Sequence, residues 1–260
     1  MSKFAALYKI ELKRIWTLPK YIVFGSATLL ISALALLPML TGALEGDAKT
    51  FLPAQANVVE TILSPITTIS VLFLTFGIIA NDKKNHWFRS VLARPVSREH
   101  FFSAKILAVL TSMLGVMLIT TVIPLLIFNI TSGESLEFEF GKVAGVYSFY
   151  FLHGTLFVII ASWLSCFVPG IFNILILALW MISESIISAL VGIFLWDSRL
   201  ALIFQDFYFP NGFAESAKIL LATSEFATSE FLWGMTALFL FAALFFANIN
   251  LINIDHSSDD

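Results

Sequence analysis

The sequence predicts an all-α, polytopic membrane protein with six transmembrane helices. Hydrophobic residues make up 58% of the 260 positions and charged residues only 13%, whereas soluble proteins carry about 25% charged residues. Several apolar runs reach the roughly 20 residues that a helix needs to cross a bilayer. The net charge of −3 argues against a nucleic-acid partner. The single cysteine excludes an internal disulfide and a multi-cysteine metal site.

Residues 1–20 are predicted to form a cytoplasmic interfacial helix, because the apolar run that follows them is too long for a cleaved signal peptide. At about 100° per residue, apolar and basic side chains occupy opposite faces. The apolar face holds Phe4, Leu7, Tyr8, Leu12, Ile15 and Trp16, and the basic face holds Lys3, Lys9, Lys13 and Arg14. Glu11 falls within the apolar face, where an unpaired acid is costly. It therefore either reaches the headgroup region or pairs with a basic side chain of the cytoplasmic loop.

Residues 21–251 form the predicted six-span transmembrane domain, and residues 252–260 form a cytoplasmic tail. Pro65 and Pro124 lie within helical runs and should kink them. The Pro169-Gly170 turn should fold the fourth and fifth spans into an antiparallel hairpin. The predicted spans cover residues 21–44, 58–80, 101–130, 144–167, 171–196 and 231–251.

Lysine and arginine are distributed unevenly between the two sides of the predicted bundle. If the N-terminus is cytoplasmic, the cytoplasmic side holds eleven of the 15 basic residues. The outer side then holds only Lys49, Lys142, Arg199 and Lys218. Basic residues concentrate on the cytoplasmic side of membrane proteins, so both termini are expected inside.

A basic loop at residues 81–105 joins the second and third spans. Four apolar residues recur at helical spacing in its first half: Trp87, Phe88, Val91 and Leu92. Residues 82–94 are therefore predicted to form a short amphipathic helix that ends before Pro95. Ser97 can cap the third span, with Glu99 in its first turn. A loop of this kind binds either a soluble partner or lipid headgroups.

The order of motifs in this loop is informative together with the layout of the whole chain. Asp82 precedes the short helix, which is followed by Arg94-Pro95-Val96-Ser97-Arg98 and then by Lys105. With the interfacial N-terminal helix and six spans, this order resembles the permease subunits of ABC-2 type ABC transporters. Such permeases often carry Gly-Thr shortly after the acid, where this chain has Asn85-His86. The resemblance implies a location in the inner membrane of a bacterium or archaeon.

The resemblance implies that the loop contains a coupling helix, which docks on a separate ABC ATPase subunit. The expected contacts are Asn85, His86, Trp87, Arg89, Ser90, Arg94 and Arg98. The sequence has no GxxxxGK[ST] run, so ATP and Mg are expected only on the partner, and this chain is expected to carry no cofactor and no enzymatic activity. The implied assembly has two ATPase copies and two permease copies, expected to be identical, in contact with lipid. An extracytoplasmic partner is a further candidate.

Residues 197–230 are the longest outer segment between predicted spans. Its first half carries an apolar stripe at helical spacing, made by Leu200, Ile203, Phe204, Phe207 and Tyr208. A turn at Pro210-Asn211-Gly212 follows, and residues 217–222 are predicted to start a second helix. The resemblance implies that these are outer-leaflet helices that cap the transport pathway.

Polar residues inside the spans fall on two narrow helix faces, within roughly 60° on the second span and about 100° on the fifth. These faces should contact protein or water, and they serve either helix packing or the substrate route at the centre of a dimer. The candidate pathway residues are Thr61, Ser64, Thr68, Thr75, Asn173, Glu184 and Ser188.

Glu184 is the one acid that the sequence places near the bilayer midplane, where desolvation disfavours a carboxylate. The turn between the fourth and fifth spans puts His153 at nearly the same depth. We therefore expect a hydrogen bond between His153 and Glu184 within one chain, with a structural role favoured over proton relay.

Three function classes remain after these observations. The first is the permease of an exporter that moves a lipid, a hydrophobic compound or a maturation factor. The second is a membrane anchor or mechanotransducing partner of a cytosolic ATPase, without transport. The third is an intramembrane enzyme. His153 and Glu184 are few groups for a catalytic site, and no HExxH or GxSG motif is present.

Overall fold

A computed structural model of the protein describes residues 3–45, 54–76, 78–79, 97–132, 140–168, 170–180 and 212–249. Within these ranges the regular structure is helical and contains no strand, which confirms the all-α prediction there. The helices are α1 (Lys3–Ile15), α2 (Leu18–Glu45), α3 (Ala54–Leu74), α4 (Arg98–Ser132), α5 (Phe140–Leu164), α6 (Gly170–Trp180), α7 (Gly212–Thr223) and α8 (Thr228–Ile249).

Three of the described helices are long and apolar enough to cross a membrane: α4, α5 and α8. The pair of α1 and α2, bent by 68°, makes a fourth when the two are counted as one span. Large apolar side chains on the outside of the bundle are exposed, including Leu29 (73%) and Phe239 (66%). Soluble proteins rarely expose extended apolar patches. The chain therefore has the properties of a multi-pass membrane protein.

The amphipathic character predicted for the N-terminal helix is present in α1. Ile15 is buried, while Lys9 and Lys13 are exposed on the opposite face. The apolar face of α1 packs along α4 of the same chain, where the Tyr8 hydroxyl donates to Thr111 Oγ1 at 3.1 Å. The helix ends at Ile15, earlier than the predicted residue 20, because the chain bends at residues 16–17 and α2 already begins at Leu18.

The second predicted span ends its helix at Leu74, six residues earlier than residue 80. Side chains replace the missing helical hydrogen bonds at this end. Thr75 Oγ1 donates to the Val71 carbonyl at 2.6 Å, and side chains of α4 and of the α5–α6 turn bind the backbone of Ile78 and Ile79. The chain therefore leaves α3 through a turn that neighbouring elements hold in place.

Helices α3, α4 and α5 pack closely around Gly154. A Cβ atom at this position would lie 2.7 Å from Met113 Sδ and 2.9 Å from Thr67 Cγ2. Small residues let helix backbones approach in membrane proteins. Hydroxyl groups on these helices also bond to the carbonyl one turn earlier, as Thr120 does to Val116 at 2.7 Å. That pairing satisfies polar side chains where water is absent.

The predicted hairpin between the fourth and fifth spans is present. Helix α5 ends at Leu164 and α6 begins at Gly170. Asn173 of α6 donates from Nδ2 to the Ala161 carbonyl of α5 at 2.9 Å, which ties the two helices beside their turn.

Helices α7 and α8 form a second hairpin, closed by a turn in which Ser224 has a φ of 62°. Helix α7 starts at Gly212, five residues before the predicted start at residue 217. A Cβ at Gly212 would lie 2.1 Å from the Glu230 carbonyl oxygen, so the helix begins where the missing side chain permits contact with α8. Buried Phe213 then packs edge to face with Phe231.

Candidate functional site

Two clusters of polar side-chain and backbone groups lie about 22 Å apart along α3 and α5, at 1.5 Å of rise per residue. The first is the cytoplasmic junction, which we define as Glu11, Ile78, Ile79, Lys105 and Ser165. The second is the outer cluster, which we define as Glu60, Ser64, Tyr150, Glu215 and Lys218. Their names follow the predicted orientation of the chain.

Lys105 is the centre of the cytoplasmic junction. Its Nζ lies 3.2 Å from Glu11 Oε2 and donates to the Ile78 carbonyl at 2.8 Å. Lys105 and Glu11 are only 5% and 3% exposed. Of the two alternatives for Glu11, pairing with a basic side chain of the loop at residues 81–105 is therefore confirmed.

Further contacts complete the junction around this ion pair. Arg14 Nη1 donates to Glu11 Oε1 at 3.0 Å, so both oxygens of the carboxylate are bound. The Ile79 backbone N–H donates to Ser165 Oγ at 3.2 Å, which joins the end of α3 to the α5–α6 turn. A buried ion pair needs such additional hydrogen bonds to offset desolvation. Helices α1 and α4 and the two turns thus meet at one point.

The start of α4 matches the predicted cap. Ser97 Oγ accepts a hydrogen bond from the His100 backbone N–H at 3.3 Å, and Glu99 lies in the first turn. Arg98, the first residue of α4, is half-buried. The remaining predicted coupling contacts lie outside the described residues: Asn85, His86, Trp87, Arg89, Ser90 and Arg94.

The polar stripe predicted on the second span divides into two environments. Ser64 and Thr68 lie toward the surface of the chain, and Thr68 Oγ1 donates to the Ser64 carbonyl at 3.1 Å. Thr75 is buried at the turn that follows α3. The side chain of Thr61 lies outside the described residues. A packing role therefore fits Thr75, whereas Ser64 and Thr68 remain candidates for a pathway.

The stripe predicted on the fifth span is described only at its start. Asn173 is buried and bonded to α5, which fits a packing role. Glu184 and Ser188 lie outside the described residues, so the His153 to Glu184 pair stays a prediction. His153 itself is buried in α5 and packs edge to face against Phe157 at 4.9 Å between ring centroids.

The outer cluster joins α3, α5 and α7. The Tyr150 hydroxyl donates to Glu60 Oε1 at 3.4 Å, and Ser64 also bonds to this hydroxyl. On α7, Lys218 Nζ donates to Glu215 Oε1 at 2.6 Å. Glu215 and Lys218 interact electrostatically with Tyr150 and His153, respectively. The cluster thus brings two acids, one base and a phenol together at one end of the bundle.

Of the outer cluster, only Ser64 is among the pathway residues predicted from the sequence. Glu60 precedes Ser64 by four residues, so it lies on the same helix face, and extending the polar stripe by one turn would have included it. Tyr150 meets Glu60 only through the packing of α5 on α3. Glu215 and Lys218 come near α5 only through the packing of α7, and no periodic pattern in the sequence signals either contact.

Comparison with known proteins does not identify the family: no family model and no curated protein matches this chain. Among the described residues, no group of three or more His, Cys, Asp or Glu side chains is arranged to hold a metal ion. The features of this chain that bear on its function are therefore the cytoplasmic junction, the outer cluster and the basic loop of the sequence.

Proposed function

We propose that this chain is the permease subunit of an ABC exporter in the inner membrane. Two identical copies, each with six spans, would bind two separate ATPase subunits and move a lipid or hydrophobic compound. The observation that supports this function best is the cytoplasmic junction, because it ties both sides of the basic loop to the helices of the bundle.

The junction lies where a force on the loop would enter the membrane domain. Residue 79 immediately precedes the undescribed part of the loop, and its N–H is held by Ser165. Lys105, the last residue of the loop segment and part of α4, binds the Ile78 carbonyl across the loop. A displacement of the loop would therefore move the end of α3, the start of α4 and the α5–α6 turn together.

Helices α1 and α4 would carry that displacement further. Helix α4 spans 35 residues with Pro124 inside it, and its 27 residues from Arg98 to Pro124 can act as a stiff lever of about 40 Å at 1.5 Å per residue. Helix α1 is joined to it through Glu11 and through the bond from Tyr8 to Thr111. In the proposed cycle, ATP binding closes the ATPase dimer, displaces the coupling helices and tilts α4 together with α1.

A mechanotransducing anchor would use the same junction without moving a substrate. The outer cluster favours transport, because charged side chains within membrane proteins are costly and mark substrate or ion pathways. Glu60, Glu215 and Lys218 have no role in an anchor that acts only at the cytoplasmic surface.

Co-purification tests the proposed function. The genes that neighbour this chain are expected to include an ABC ATPase, and a tagged chain expressed with that ATPase should retain it through detergent extraction. Replacing Trp87 and Arg94 with alanine should remove most of the bound ATPase, because the coupling helix would lose its aromatic anchor and a basic contact. The matched control is Trp233→Ala with Lys142→Ala, which changes an aromatic and a basic residue far from the loop.

The result separates the three function classes. Retention of the ATPase by the wild type and the control, but not by the loop variant, supports the permease. Equal retention of the ATPase by the wild type, the loop variant and the control contradicts docking through the loop. An ATPase complex that moves no substrate would favour the anchor, and hydrolytic activity of the isolated chain would favour the enzyme.

A further inference from the structure

The outer cluster places charges beside otherwise apolar helices. Glu60 is half-buried on α3, and Glu215 and Lys218 lie on α7, whose opposite face is buried against α5 and α8. The charge of half-buried Glu60 costs free energy at this position unless it is paired or hydrated. An acid retained at such a cost is a candidate for a ligand-binding residue.

The charges of the cluster do not cancel. Lys218 and Glu215 neutralise one another at 2.6 Å. Within the described part of the chain, the Glu60 carboxylate has one hydrogen bond, the 3.4 Å contact from the neutral Tyr150 hydroxyl. An ionised carboxylate accepts several hydrogen bonds and favours a cationic partner. The cluster therefore has a net charge of −1, and no cation of the described residues pairs with Glu60.

The cluster is open to a ligand. The side chains of Lys218 and Glu215 are 51% and 46% exposed, and Ser64 is exposed on α3. A small molecule can therefore reach the carboxylates without displacing a packed helix.

Aromatic rings lie at the same level of α5 as Tyr150. Phe149 precedes Tyr150 and packs against Phe226 at 5.7 Å between ring centroids. Phe226 also packs against Phe231 at 5.2 Å but remains 55% exposed. An exposed phenylalanine at this level suits a ligand with an apolar chain, and its ring face also attracts cations.

We propose that the outer cluster binds the ammonium group of an amphiphilic amine, with Glu60 as the main counter-charge and Phe226 in contact with the apolar part. This inference rests on the proposed transport function and specifies its substrate class. Anionic amphiphiles would be repelled by the net negative charge of the cluster. Lys218 competes for Glu215, so it limits the affinity for the amine.

Binding of two matched probes to the chain alone in lipid nanodiscs tests this proposal. Decylammonium and decyl sulfate have the same chain and opposite charge, and empty nanodiscs give the background from partition into lipid. Decylammonium should bind the protein about tenfold more tightly than decyl sulfate, the effect of one charge-assisted contact. Glu60→Gln should remove about tenfold of that affinity.

Two variants make the result independent of folding defects. Lys218→Gln should strengthen decylammonium binding several-fold, because it frees Glu215, and misfolding would not produce such a gain. Glu225→Gln, at an exposed acid in the α7–α8 turn, should leave binding unchanged. Equal affinity for the two probes, no loss in Glu60→Gln or no gain in Lys218→Gln would overturn the proposal.

The ATPase is absent from this measurement, so its outcome is separate from that of the proposed function. Failure of amine selectivity with intact ATPase retention would reject only the substrate class. Intact amine selectivity without ATPase retention would reject the permease assignment.

Discussion

Replacing Lys105 with methionine should lower the free energy of unfolding by about 3 kcal/mol, because Glu11 would stay buried after losing one of its two cationic partners. The Ile78 carbonyl would lose its donor at the same time. Thermal unfolding in nanodiscs, followed by tryptophan fluorescence, measures the change. The size of the effect reflects burial, since Glu11 and Lys105 are almost fully enclosed.

A compensating variant distinguishes the ion pair from general loss of packing. The double variant Glu11→Gln with Lys105→Met removes both charges and should recover most of the lost stability. It should still bind the ATPase, because the loop contacts are intact, but should transmit less stimulation to it. Lys13→Met, at an exposed position of α1, is the control and should melt like the wild type. If Lys105→Met alone is as stable as the wild type, the ion pair does not stabilise the junction as described.

Gly212→Ala should destabilise the α7–α8 hairpin by about 2 kcal/mol. The added Cβ would lie 2.1 Å from the Glu230 carbonyl oxygen and 2.6 Å from the Gly234 nitrogen. Both are backbone atoms, so the clash can be relieved only by moving α7 away from α8. The same thermal measurement detects the loss.

Gly115→Ala is the matched control for this helix contact. A Cβ at Gly115 would meet nothing within 4 Å, and alanine has the higher helix propensity. This variant should melt at the wild-type temperature or slightly above it. Equal loss of stability in both variants would show that the close approach of α7 and α8 is not what holds the hairpin.

The sequence predicts features that depend on local periodicity or local turn chemistry. The amphipathic face of α1 follows from helical spacing, and the position of Glu11 on that face made pairing with a basic residue of the loop one of its two predicted alternatives. The Ser97 cap and the hairpin before Gly170 depend on residues close together in the chain. Each of these is present in the described structure.

Features that depend on packing between distant segments were not predictable in this way. Helix α3 ends at Leu74 because side chains from α4 and from the α5–α6 turn bind the residues that follow, and the apolar pattern does not record that contact. Likewise, Tyr150 meets Glu60 across 90 residues of sequence. The helix period alone also placed Thr75 with Ser64, although the chain turns at Thr75 and buries it.

ATP hydrolysis by the partner ATPase is the most direct test of the central claim that the basic loop receives an ATPase and the bundle responds to it. We expect the genes that neighbour this chain to include an ABC ATPase, and that ATPase should hydrolyse ATP faster with the wild-type chain in nanodiscs than with empty nanodiscs. Trp87→Ala with Arg94→Ala should return hydrolysis to the basal rate, and the Trp233→Ala with Lys142→Ala control should keep the stimulation. Stimulation that persists undiminished in the loop variant would contradict the account.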